Sequence, residues 1–321
     1  MTPQDLEARI VRYGDLQPCK TAFIDAHTPG SDQKENFTII GGGVSESPDQ
    51  HVHITTPHGF NIGAAGQPPK CRNSLHDHRT AEAFFILSGK WRFFWGRWGD
   101  AGEVTMEAGD IFNIPTGVFR GFENIGADYG MIMAILGGDD AGGGVMWAPQ
   151  VIEDAKDHGL VLAETGKLYD TKNQQHLPEG VNPMPLMSDE ELAKRAEPTT
   201  AQVIPNHIAR YWDLVAYADE IPALVIGENG ILRDKPGFEV RFMTRASSAQ
   251  AMQSHDRPSV LMPVKGHWSV TWDGGSATLA PGDTMSVPEH LTHSIQPSMT
   301  GEAAIYQITG TGDPAGLTWG G

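Results

Sequence analysis

The stretch His76-Asp77-His78-Arg79-Thr80-Ala81-Glu82-Ala83-Phe84-Phe85-Ile86-Leu87-Ser88-Gly89 decides how this chain is read. The run Ala83–Leu87 is apolar and ends in Ser88-Gly89, a turn signal. Trp91-Arg92-Phe93-Phe94-Trp95 follows as a bulky aromatic strand. Gly109-Asp110 then precedes Ile111-Phe112-Asn113-Ile114, and Pro115-Thr116-Gly117 closes that run. Short strands punctuated every 8–12 residues by turns indicate a sandwich or barrel. His76 and His78 stand two apart, so on a strand both imidazoles face one side.

Working outward, the chain repeats itself. Ile10-Val11-Arg12-Tyr13-Gly14-Asp15-Leu16 returns as Ile208-Ala209-Arg210-Tyr211-Trp212-Asp213-Leu214. Gly59-Phe60 returns as Gly237-Phe238, Trp91 and Trp95 as Trp268 and Trp272, and Gly109-Asp110 as Gly282-Asp283. Ile135 to Trp147 resembles Ile308 to Trp319. The order is kept, and the offset falls only from 198 (208 − 10) to 172 (319 − 147), which indicates duplication. The expected fold is all-β, two tandem barrels with a few short helices. Residues 1–147 form the first barrel, 148–200 the connection and 201–321 the second. Helices are expected from Thr2-Pro3, over 149–158 up to Gly159, and after the capping box at Ser188.

Composition agrees. The 321 residues exceed one ordinary domain, and 38 Gly with 22 Pro suit many short strands and turns. A formal charge of −17 disfavours nucleic acid and anionic membrane as partners. No apolar run reaches the roughly 18 residues of a membrane span, and the N-terminus has no basic start followed by an apolar core. Two cysteines, Cys19 and Cys71, make no disulfide framework, so a cytoplasmic location is expected.

His76-x-His78, Glu82 and Gly89, followed by Gly109, Pro115-Thr116-Gly117, position 120 and Asn124, keep the spacing of the two cupin motifs. The chain therefore resembles the cupin superfamily, and with two copies a bicupin. In architecture it is distantly similar to the gentisate and hydroxynaphthoate ring-cleaving dioxygenases. The resemblance implies a double-stranded β-helix (jelly-roll) fold and a metal held in the first barrel by His76, His78 and Glu82. It also implies a homodimer or larger assembly. Fe(II) is the expected ion, with Mn, Ni or Zn as alternatives, because two imidazoles and a carboxylate accept several metals.

The sequence departs from the motif at Arg120, where a later His ligand is expected. A guanidinium has no acceptor and cannot ligate. Either a three-ligand site survives, with Arg120 clamping the carboxylate of a small acidic substrate in catalysis, or Arg120 pairs with Glu82 and no metal binds. In the second copy Gln253, His255 and Ser259 stand at the positions of His76, His78 and Glu82. His293 stands at that of Arg120, and His290 replaces the motif glycine Gly117. Two His with Gln make a poor divalent site, so this barrel is read as structural or empty.

Three functions remain open: an Fe(II) dioxygenase for a small aromatic or organic acid, a non-oxidative lyase, decarboxylase or isomerase, and a non-catalytic binder of small anions. His51, His53 and His58 read as strand or mouth residues, and Cys71 as packing. The recurring Trp pairs read as core, and Gly137 to Gly144, with Asp139 and Asp140, as an exit from the barrel.

Overall fold

The computed structural model describes residues 6–139, 144–232, 237–248 and 252–312. In the first barrel, a seven-stranded sheet faces a five-stranded one. In the second, a six-stranded sheet faces a three-stranded one. Every strand pair named below is antiparallel, as hairpin-linked strands permit. The helix expected from Thr2-Pro3 begins outside the described residues, and so does the end of the second repeat beyond 312. The helix Pro149–Asp157 stops before Gly159, and the Ser188 capping box starts Asp189–Ala193. The helices Thr200–His207 and Tyr211–Tyr217 were not foreseen. Among the described residues no helix is long and apolar enough to cross a membrane.

Alternation along each strand divides its side chains between two cores. On Glu82–Ser88, Phe84 and Ile86 fill the first barrel, while Ala83 and Phe85 join a second cluster. That second cluster is shared between the barrels, since it also holds Val240, Met262, Tyr306 and Ile308. Phe85 and Tyr306 meet there with ring centroids 4.7 Å apart, and the repeat equivalents Phe60 and Phe238 face each other at 6.2 Å. The barrels therefore pack back to back through their large sheets. The Trp pairs are core: Trp91, Trp95, Trp268 and Trp272 are all buried.

The duplicated arm of each copy adds a strand to the other copy's sheet. Ile10 pairs with Met285, and Ile208 pairs with Phe112. Arg12 Nη1 donates to Asp283 Oδ2 at 3.0 Å, and Arg210 Nη1 to Asp110 Oδ2 at 2.7 Å. The amides of Tyr13 and Tyr211 donate to the remaining oxygens of the same two carboxylates, each at 2.9 Å. Gly109 and Gly282 have left-handed φ of 92° and 89°, and a Cβ at either would run into Tyr211 or Tyr13 respectively. The repeated Arg-Tyr and Gly-Asp motifs are thus partners, each locking onto the opposite barrel.

Candidate metal centre

Arg72–Asp77 and Arg120–Asn124 pair across the small sheet of the first barrel, with Arg120 opposite His76 on one side and Trp95 on the other. The register shifts by one residue between His76 and Asn73. This bulge brings Asn73 and His76 to the same cavity. Glu82 opens the neighbouring strand of the large sheet. In the second barrel His293 pairs with Trp272 and bridges to Gln253. The register around Arg120 is therefore repeated around His293.

His76, His78 and Glu82 are buried, with their ligating atoms all within 4.8 Å of one another. His76 Nδ1 lies 2.7 Å from the Ser74 carbonyl and His78 Nδ1 lies 3.1 Å from that of Gly144. A backbone carbonyl can only accept, so each Nδ1 carries the proton and each Nε2 keeps its lone pair. That outer hydrogen bond is the arrangement which orients a metal-ligating imidazole. His78 Nε2 lies 3.5 Å from Glu82 Oε1. Two ligands at roughly 2.1 Å from a common ion stand about 3.0–3.5 Å apart, so the spacing fits. Burial, reinforced by the charge of Arg120, holds the His76 imidazole well below its ordinary value and hence neutral. Burial alone would raise Glu82, but the Arg120 guanidinium overturns it and keeps the carboxylate ionised. The donor set therefore fits a divalent ion.

The Arg120 side chain is buried and turned toward Glu82. Nε donates to Glu82 Oε2 at 3.2 Å, and Nη2 donates to the same oxygen. Nη1 donates to Asp77 Oδ1 at 3.0 Å and to the His76 carbonyl at 3.2 Å. Glu82 Oε1 is left to face His78. Asp77 also accepts from Arg195, which arrives from the connecting segment, and from the amide of Gly117. Two carboxylates thus face two guanidinium groups. Neither Asp77 nor Arg195 was singled out from the sequence. Alternation turns Asp77 away from the two histidines, and nothing local links Arg195 to a residue 118 positions earlier.

The triad opens on a cavity of the first barrel. Phe23, Phe84, Phe122 and Trp147 supply flat apolar faces, and Gly63, Ala65 and Ala134 keep the interior open. Trp147 packs against His76 with centroids 5.5 Å apart. Arg120 is not part of the cavity wall. Cys71 is buried elsewhere, and Cys19 lines the cavity instead. His53 bonds backbone carbonyls of Thr38 and Asp15, with His51 stacked edge-on against it. His58 spans the barrels, its Nε2 2.8 Å from Ser286 Oγ. None of these three joins the triad. Asp139 accepts from the amides of His58 and Gly59, while Asp140 lies outside the described residues.

In the second barrel His255 and His293 lie with centroids 6.1 Å apart, and His255 Nε2 contacts Gln307 at 3.0 Å. Ser259 is buried at the place of Glu82. Among the described residues the cluster of three metal-ligating side chains is the one in the first barrel.

Fold and site together define a protein of two cupin-like barrels with one candidate metal centre. Residues 66–136 match the family model of the cupin domain. No curated protein matches the sequence. Among solved structures the chain is similar to a salicylate 1,2-dioxygenase from Pseudaminobacter salicylatoxidans, at 14% identity and a TM-score of 0.54. That match covers 94% of this chain and 83% of the other. It is also similar to the oxalate decarboxylase of Lactobacillus farciminis, at 13% identity and a TM-score of 0.52, covering 96% and 88%. At these identities the likeness is one of fold.

Proposed function

We propose that the first barrel is the active site of a metal-dependent enzyme, an Fe(II) dioxygenase acting on a small aromatic or organic acid. The observation that carries this reading is the triad itself. Two imidazoles whose Nδ1 atoms face backbone carbonyls and one ionised carboxylate end at an apolar cavity, leaving room for further ligands. Iron held by His76, His78 and Glu82 would bring substrate oxygens and dioxygen together.

The chain's own residues do the rest. The Ser74 and Gly144 carbonyls fix both imidazoles. Arg120 holds one oxygen of Glu82 and so turns the other toward His78. Arg120 is thereby a positioning residue, its fork already occupied by Glu82, Asp77 and a carbonyl. The aromatic walls exclude water, which strengthens electrostatic interactions inside. Charge favours an acidic substrate. Glu82 and Asp77 are already balanced by Arg120 and Arg195, so a divalent ion adds two positive charges to an apolar cavity and calls for an anion.

The test is anaerobic reconstitution with Fe(II), followed by oxygen uptake with a panel of hydroxybenzoates. Metal-dependent uptake with at least one of them is expected. Tight iron binding without oxygen uptake would favour a non-oxidative lyase, decarboxylase or isomerase using Mn, Ni or Zn as Lewis acid. The Arg120–Glu82 contact favours a second reading, a metal-free binder of small anions. In that case the wild type takes up no metal, and Arg120→His restores uptake by completing a four-ligand set.

A further inference from the structure

We infer that Asn36 is a specificity-determining residue. It donates its side-chain amide to a neutral acceptor oxygen on a flat substrate whose only negative charge lies at the metal end. This rests on the metal-dependent reading of the first barrel. Asn36 stands opposite Ala65 on the strand Glu35–Ile40, and both line the cavity. Its backbone is fully engaged with Cys19, so its position is fixed by the sheet and not by its side chain. Its Nδ2 is buried and has no partner among the described residues.

The neighbouring polar groups of the wall are engaged. The Thr38 hydroxyl donates to Gln50, Ser45 donates to the Ala22 carbonyl, and Asn73 Oδ1 accepts from Lys34 while its amide group faces His76 at the metal end. Away from the metal end, Asn36 Nδ2 is a wall donor with no acceptor among the described residues. A buried amide without an acceptor is costly, so this donor is matched to an oxygen brought by the ligand.

The same wall argues against a second carboxylate. Arg120 is taken up by Glu82 and Asp77. Lys34 is buried against Asp25, behind the rings of Phe23 and Trp147. No cation of the cavity wall is left to receive another anion, and the rings offer only apolar surface. The favoured substrate is a monoanion: an aromatic ring with one chelating end and a hydroxyl or carbonyl remote from it.

The test uses the full-length protein loaded anaerobically with Fe(II). Its probes are salicylate, the ring-hydroxylated salicylates and phthalate, with binding read from quenching of tryptophan fluorescence, since Trp147 lies in the wall. The wild type should prefer one hydroxylated salicylate over salicylate by about five- to tenfold, the scale of one neutral hydrogen bond. Asn36→Leu should erase that preference while leaving salicylate affinity unchanged. The near-isosteric Asn36→Asp should weaken every anionic probe. Phthalate should bind at least tenfold more weakly than salicylate. An unchanged preference in Asn36→Leu, or phthalate binding as tightly as salicylate, overturns the inference. So does metal uptake without binding of any probe, which leaves the metal reading standing. Absence of metal uptake overturns both.

Discussion

The two barrels share strands, register and a reciprocal lock, yet their interiors differ in charge. Apart from its lock residue Asp110, the first buries Asp25, Lys34, Glu46, Asp77, Glu82 and Arg120. Among the described residues the second buries a single charged side chain, Asp283, which belongs to the lock and not to the barrel's interior. Buried ions are expensive, and apolar residues of similar volume would serve stability as well or better. The second barrel shows that the fold stands without them. Asp77, Glu82 and Arg120 among them gather at the candidate metal centre. Duplication supplied the scaffold twice, and the candidate metal ligands are concentrated in one copy.

The sharpest way to break this comparison is to remove one buried charge. Arg120→Ala strands Glu82 and leaves Asp77 with Arg195 as its remaining cation, and should cost about 3–5 kcal/mol in denaturant unfolding. His293→Ala, at the matching register position, should cost far less, because no acid depends on it. Similar costs for the two would mean that the first barrel's charges are no more interdependent than the second's.

Next in size is the pH response of Glu46. Burial pushes this carboxyl up to about 8, against the hydrogen bonds donated by Trp147 and the Ile24 amide. Its folded value lies above its ordinary value of 4.5. The protonated form therefore stabilises the fold fully below about pH 4.5, and that stability is lost as pH rises through about 8. Wild type should lose a few kcal/mol between pH 5 and pH 9, whereas Glu46→Gln should lose markedly less over that range. Matching pH profiles would remove Glu46 from the account.

A smaller pair of effects sharpens the likeness between the barrels. Asp110→Ala and Asp283→Ala each remove the acceptor of one Arg and one Tyr amide, so each should cost about 2 kcal/mol. A large inequality would show that the two locks are not equivalent. The smallest concerns Gly117 and His290, which share a left-handed φ of 80° and 60°. His290→Gly should stabilise by about 0.5–1 kcal/mol, as relief of left-handed strain exceeds the added entropy of the unfolded chain.

Much of this was legible in the sequence because it is local or repeated. The His76-x-His78…Glu82 spacing is read within two adjoining strands, and the duplication fixed the matching of Arg120 with His293. What stayed hidden is what long side chains and distant segments do. Arg12-Tyr13 and Gly282-Asp283 were both visible as repeated motifs. That each binds the other copy's motif depends on back-to-back packing, which no local pattern encodes. Strand alternation turns Asp77 away from the two histidines, and Arg120 reaches it because a guanidinium spans from one side of the strand end to the other. Asn36 sits in a strand with no motif, and its free amide is visible only once the groups around it are seen to be paired.

The most direct test of the central claim is metal content per chain after anaerobic loading with Fe(II), for wild type, His76→Ala and His255→Ala. The account predicts about one equivalent in wild type, its loss in His76→Ala and its retention in His255→Ala. No metal in the wild type, or loss in His255→Ala with retention in His76→Ala, would contradict it.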